Sequence, residues 1–318
     1  MTMAHWQPTA TLETLKARAM LIQRMREFFH ARDVLAVETP TLCHTSVTDP
    51  YIESIAAMVR PSQKAYLQTS PEYAMKRLLA AGMGSIYQIT KAYRQEELGR
   101  YHNPEFTMLE WYRLQFDHHQ LMDEMDALLQ HVTGCENATR VTYQTLFEST
   151  LGVNPHTATL PELKTIALKN GVNFQGELND NDAWLQLLLT HCIEPNLGRD
   201  APIFIYDFPA TQAALARIQN TNPPLASRFE VYWKGIELAN GFHELQSARE
   251  QAARFEINNQ QRKHLGLNTL PIDQYLLDAL THGLPDCAGV ALGVDRLVML
   301  ALNKTRLSEV MAFDFERA

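Results

Sequence analysis

Residues Lys91 to Tyr112 read KAYRQEELGRYHNPEFTMLEWY. Successive side chains of a strand point to opposite faces, so Tyr93, Gln95 and Glu97 share one side and Arg94 and Glu96 the other. Beyond a polar stretch through Gly99, Phe106, Met108 and Glu110 share a side, with Thr107, Leu109 and Trp111 opposite. Alternation on both arms predicts an antiparallel hairpin with a long, mobile tip. One face then carries a guanidinium, two carboxylates and an aromatic ring. Such groups suit a nucleoside triphosphate: a planar fork for phosphate, an acid for a metal or an amine, a ring for a base to stack on. On a solvated ribbon the same charges would simply pair with one another. Nucleotide chemistry therefore needs matching parts elsewhere in the chain.

Two further stretches supply them. Arg228 to Gln246 reads RFEVYWKGIELANGFHELQ, in which FEVYW alternates, Lys234-Gly235 makes a tight turn and IELAN returns. Glu237 and Glu244 flank Asn240-Gly241, where glycine lets the backbone approach a ligand. Two acids around a hairpin can hold magnesium or an ammonium group, or stay solvated. The third stretch, Ala288 to Asn303, is AGVALGVDRLVMLALN, a small-residue strand running into a helix. Gly289, Ala291 and Gly293 fall on alternate positions and leave room for something flat against the backbone. Arg296 stands at the helix start, where the dipole disfavours a cation, and this points to an anionic partner.

Working outward, Thr11 to Ala31 has apolar residues at helical spacing, and RDVLAVETPTL alternates as a strand reaching Pro40. In AYLQTSPEYAMKRLLAAG, Leu67 to Thr69 ends a strand, Ser70 is the N-cap and Pro71 the first residue of a helix reaching Ala81. Glu72 then sits in the first turn, where it at least complements the dipole. Asp117 to Val132 is an amphipathic helix, with His118 and His119 as surface residues. Helical patterns broken by Gly152, Gly171 and Gly176 carry no obvious chemical group, so residues around 115–200 form a helical insertion. APIFIYDFP is a buried strand, and Ser247 to Leu265 a charged helix.

With 318 residues and 46% hydrophobic content, one large domain with insertions can bury a substantial core. Twenty-eight basic residues face 36 acidic ones, and a net charge of -8 argues against a protein whose main task is gripping a nucleic-acid backbone. The four cysteines form no CxxC pair, which predicts a reduced, cytoplasmic protein without a zinc site. MTMAHWQPTA is no signal peptide, and no apolar run approaches bilayer length.

TPTL around Pro40, YRQE with HNPEF, and GVALGVDRLVML together resemble the three motifs of the class II aminoacyl-tRNA synthetase catalytic core. Through SPE, YHNPEFTMLEWY and ELANGFHEL the chain is most similar to the lysyl-tRNA synthetases. The resemblance covers nearly the whole chain. It implies an α+β fold, an antiparallel sheet flanked by helices, as a single catalytic domain over residues 1–318. Lysyl-tRNA synthetases carry an N-terminal OB-fold domain that reads the anticodon, whereas here the motif-one helix begins almost at Met1. A core of this extent resembles the elongation factor P–(R)-β-lysine ligase family, which activates β-lysine as an adenylate and moves it to a lysine ε-amino group of elongation factor P. Tyr101 stands where the synthetases usually have a basic residue that helps hold tRNA. Ala291 stands where the lysyl-tRNA synthetases have glycine, and its methyl would crowd an α-ammonium while favouring an amine displaced by one carbon.

The resemblance implies catalytic roles for Arg94 and Arg296, gripping the α- and γ-phosphates of ATP. Gln95, Glu96, Leu238 and Gly293 would line the nucleotide, and adenine would lie on Phe106 with Asn103 nearby. Glu237 and Glu244 would hold Mg2+. Ser70, Pro71 and Glu72 would bind one substrate ammonium, and Tyr112 with Glu244 the other, beside Ala291. The partners implied are elongation factor P, β-lysine and a second copy in a homodimer, with neither tRNA nor a membrane. Two alternatives stand beside this. One is a shortened synthetase-like enzyme that charges tRNA. The other is a non-catalytic regulatory relative, which would be expected to lose the phosphate arginines.

Overall fold

The structure, a computed structural model, describes residues 6–95, 97–174, 176 and 178–318. Among these the chain begins with α1 (Leu12–His30), β1 (Leu35–Ala36), β2 (Leu42–Cys43), β3 (Ala56–Arg60), β4 (Gln63–Leu67) and α2 (Glu72–Ala80). Then come β5 (Ile86–Tyr93), β6 (Glu105–Leu114), α3 (His118–Thr133), β7 (Thr139–Thr142), α4 (Tyr143–Leu151), α5 (Leu160–Lys169) and α6 (Asn181–Leu188). The chain ends through β8 (Ile203–Pro209), β9 (Ile218–Gln219), β10 (Leu225–Trp233), β11 (Ile236–His243), α7 (Ala248–His264), α8 (Gln274–Gly283), β12 (Cys287–Gly293) and α9 (Val294–Ala301). These elements fall into two compact units, one of residues 1–116, 131–133 and 246–318, the other of 117–130 and 134–245.

In the first unit β5 and β6 pair antiparallel from Ile86↔Tyr112 to Tyr93↔Glu105. β12 runs antiparallel on the other side of β6, and β1 lies parallel to β5. Thr11 caps α1 by accepting the Thr14 N–H, and helical spacing turns Leu21, Met25, Phe28 and Phe29 inward. Phe29 stacks on Tyr87 at 4.5 Å and meets Trp111 edge-on at 5.2 Å, so α1 covers one face of the sheet. A second cluster holds Met75 and Leu79 of α2, Phe255 of α7 and Leu276 and Leu280 of α8 around Ile86 and Tyr112. Burying each such side chain contributes roughly 1.5–3 kcal/mol. β2, β4 and β3 form a small separate sheet.

The hairpin departs from expectation at its tip. Strand pairing stops at Tyr93, so Arg94 is not part of an alternating strand. Its N–H closes the ladder on Pro104 O at 3.0 Å, and the Gln95 N–H turns away to Glu53 O at 2.8 Å. The tip is tied down: Gly99 bridges to His102, and the Leu307 N–H donates to Arg100 O at 3.0 Å. The strand expected to reach Pro40 shrinks to β1 and β2, since proline brings no N–H to a ladder.

In the second unit the strands lie in the order β11, β10, β8, β7, with β9 on β10. Lys234 (φ 51°) and Gly235 (φ 73°) turn β10 into β11 as expected. Tyr143, Phe147, Leu163, Trp184, Leu188 and Phe208 pack the predicted helices into their own core. Gly152 ends α4 at φ 69°, and Thr159 with Glu162 makes a capping box for α5. His118, expected at the surface, is buried against Asp207 at 3.3 Å. The four cysteines are free. Among the described residues no helix is long and apolar enough to cross a membrane.

Candidate active site

β6 sets out the chemistry of the first unit along one face, because Phe106, Glu110 and Tyr112 share a parity. At the loop end, the Arg94 guanidinium lies over the Phe106 ring, 5.2 Å from its centroid. Arg94 Nη1 is 3.5 Å from Glu97 Oε1, a long and half-exposed contact. Its Nε is buried with no hydrogen-bond partner among the described residues, a donor suited to an anion. Arg296, half-buried on the first turn of α9, donates from Nη2 to His102 Nε2 at 2.8 Å and from Nε to Tyr101 O at 3.3 Å. Burial first, then Arg296, lowers the His102 pKa, and Arg94 pulls in the same direction. The two arginines, distant in sequence, thus both lower the pKa of one imidazole, while Glu97 raises it. Gly293, the N-cap of α9, pairs with Met108 across the sheet and leads the backbone up to Arg296.

Asn103 is buried, and both ends of its side-chain amide are engaged within the chain. Its amide donates to Glu105 O at 2.6 Å, and its oxygen accepts the Phe315 N–H at 3.0 Å. Gln95 is exposed, and Glu96 lies outside the described residues.

Four residues along β6 the character changes. Glu110 is 2% exposed and accepts two hydroxyl hydrogen bonds, from Tyr112 at 2.6 Å and from Ser70 at 2.7 Å. Ser70 also accepts the Glu72 N–H at 3.0 Å, so it caps α2 from one position further out than expected, and Pro71 is the N-cap. Glu72 points inward to Lys76, whose Nζ lies 2.6 Å from Glu72 Oε1. Burial, reinforced by the Glu72 charge, pushes the Glu110 carboxyl up to about 7, against the hydrogen bonds and Lys76, which lower it. Ala291 of β12 pairs directly with Glu110, and Gln88 of β5 flanks it on the other side.

In the second unit Glu237 is half-buried at the start of β11, Leu238 is buried, and Glu244 is 1% exposed just beyond the strand. β10 adds a polar group not anticipated from sequence. Arg228 pairs with Glu230 and donates to Asn240 Oδ1 at 3.2 Å, while the Tyr232 hydroxyl donates to Glu230 at 2.7 Å. Among the described residues no cluster of three or more acids, histidines or cysteines is poised to hold a metal. The carboxylates of Glu237 and Glu244 are nonetheless hard oxygen donors of the kind Mg2+ takes singly or in pairs, with phosphates completing its shell.

Sequence reasoning missed Glu110, Lys76, His102 and Glu230 as site residues. Glu110 was visible as a carboxylate on the Phe106 face, and Lys76 as an (i, i+4) partner of Glu72. The engagement of His102 with Arg296 spans 194 residues and left no local signal.

The family described as tRNA synthetases class II (D, K and N) matches residues 3–317. A protein of Vibrio cholerae named elongation factor P–(R)-β-lysine ligase is 54% identical over 324 residues, covering 100% of both chains. Proteins of the same name from Vibrio parahaemolyticus, 54% identical with 98% of each chain covered, and Edwardsiella ictaluri, 50% identical with 99% covered, match equally end to end. With the antiparallel strands, the motif residues and this full-length likeness in hand, the chain belongs to the class II tRNA synthetase family, within the group formed by the elongation factor P–(R)-β-lysine ligases.

Proposed function

We propose that the chain activates (R)-β-lysine with ATP as an acyl-adenylate and transfers it to a lysine ε-amino group of elongation factor P, in the cytoplasm and as a homodimer. The observation that carries this is the full-length likeness to ligases of that name, together with the Arg94 guanidinium over Phe106 and Arg296 donating to His102 on the same loop. In the first step the substrate carboxylate attacks the α-phosphorus in line, forming a carboxyl–phosphate bond as pyrophosphate leaves. Arg94 neutralises charge at the α-phosphate and Arg296 at the γ-phosphate, while Phe106 stacks the base, with Gln95, Asn103 and Gly293 around the nucleotide. The carboxylate needs no base, so positioning and charge neutralisation supply the acceleration. Glu237 and Glu244 are the residues that would hold Mg2+, which when bound neutralises phosphate charge. Ser70, Pro71, Glu72 and Tyr112 receive a substrate ammonium beside Ala291. In the second step the acceptor amine attacks the acyl carbon and AMP leaves. Exposed Leu12 and Met20 on α1, with Leu35 and Leu42 after it, suit a face for a second copy.

The test is intact-mass analysis of elongation factor P after incubation with this protein, ATP and (R)-β-lysine. A gain of one β-lysyl group supports the proposal. An unmodified factor alongside efficient charging of total tRNA with lysine would replace it with a synthetase.

A further inference from the structure

Lys76 is 1% exposed, in a chain where a buried lysine calls for a partner. On α2 it stands one turn after Glu72, and both side chains face inward, 2% and 15% exposed, with Nζ and Oε1 2.6 Å apart. An (i, i+4) pair of this kind is ordinarily a surface feature. Ser70 links it to the Glu110 carboxyl, donating to Glu110 at 2.7 Å and accepting the Glu72 N–H at 3.0 Å, while Tyr112 donates from the strand of Glu110 and the Glu72 and Lys76 charges both act on that carboxyl. The cross-strand neighbours in register, Gln88 and Ala291, carry no charge.

We propose that Lys76 is the resident counter-ion of this pocket, a positioning and specificity-determining residue that fixes the Glu72 carboxylate and sets the negative charge offered to a substrate amine. The inference rests on the pocket's role as an amine site proposed above. Two carboxyls share one permanent cation, so with both ionised the Glu72, Glu110 and Lys76 set carries one net negative charge, matched to one ammonium. The Glu110 proton makes the adjustment. With no substrate bound, burial and Glu72 hold that proton on up to about 7. An arriving ammonium favours the ionised carboxylate, so substrate entry releases the Glu110 proton to solvent. Removing the Lys76 charge leaves the two carboxyls facing each other without it and raises the pH at which Glu110 ionises.

The experiment is a carboxyl-carbon NMR titration of glutamate-labelled protein, with the Glu110 resonance assigned by its loss in Glu110→Gln. It is read beside the pH profile of kcat/KM for (R)-β-lysine in ATP–pyrophosphate exchange. In Lys76→Met the Glu110 titration and the acid limb of the profile both move up by about half a pH unit or more, while KM for ATP stays. A Glu110 titration that does not move overturns the proposal, as does a uniform loss of activity with the acid limb in place. If Lys76→Met does not fold, Lys76→Met/Glu72→Gln removes the pair as a unit. Read against Glu72→Gln alone, the double variant lacks only the Lys76 charge, so Glu110 then titrates at a higher pH, and an equal or lower value overturns the assignment. If wild-type protein shows no exchange with β-lysine, the proposed function fails, and the NMR arm still decides whether Lys76 sets the charge.

Discussion

Arg18 on α1 and Asp295 on the first turn of α9 form a buried ion pair, Nη1 to Oδ1 2.6 Å, immediately before Arg296 in the chain. The Asp295 carboxylate also accepts the Thr107 N–H at 2.6 Å, and Arg18 Nη2 donates to the Thr107 hydroxyl at 3.0 Å. One cluster thus joins α1, β6 and α9. Arg18→Met strands a buried carboxylate and should cost about 3–5 kcal/mol in urea unfolding. Adding Asp295→Asn should restore a good part of that loss. A single variant within about 0.5 kcal/mol of wild type would show that the pair carries no weight.

Arg94 is different, because its ion pair with Glu97 is long and partly exposed and contributes under about 1 kcal/mol to folding. Arg94→Ala should therefore keep the far-ultraviolet spectrum and the unfolding midpoint while ATP–pyrophosphate exchange drops by about 100-fold or more. Normal exchange would remove Arg94 from the site.

Glu110 gives stability a pH dependence of unusual sign. Its carboxyl is pushed up from 4.5 to about 7, chiefly by burial and then by Glu72. Between these values the folded protein holds a proton that the unfolded chain has released, so stability falls as pH rises through that window. The contribution is complete below 4.5 and gone above 7, a swing of up to about 3 kcal/mol. Glu110→Gln should flatten it, so that the variant gains on wild type between pH 5 and pH 8 in urea unfolding. Parallel curves for the two proteins would contradict this.

Ala291 places its methyl in register with Glu110. Ala291→Gly should shift the ratio of kcat/KM toward α-lysine over β-lysine, at a cost of roughly 0.5–1 kcal/mol in stability. An unchanged ratio would show that the methyl does not select.

The strands and helices that carry motifs were legible because each is a local pattern. FEVYW, the Lys234-Gly235 turn, the Thr159 cap and the AGVALG strand all appear where periodicity and turn chemistry put them. The alternation of Arg94 with its neighbours misled, because a loop residue can continue a strand's parity by chance after pairing has ended at Tyr93. His118 was misplaced because an adjacent pair of histidines has no preferred side, and its partner Asp207 is 89 residues away. Likewise Tyr112 stands two residues from Glu110, but Ser70 comes from 40 residues upstream, and no local pattern joins the two on one carboxylate. Local order was readable, whereas the protonation of the site depends on three-dimensional neighbours.

Phe106 and Glu110 belong to a single uninterrupted strand, β6, held between β5 and β12. Four residues of extended chain span about 13 Å, and neither end can slide past the other without breaking both ladders. The strand is thereby a ruler of fixed length between the proposed base platform and the proposed amine pocket. Selection among amino acids of different reach must then come from side chains that fill or vacate space along that ruler, and the scaffold itself has no freedom to adjust.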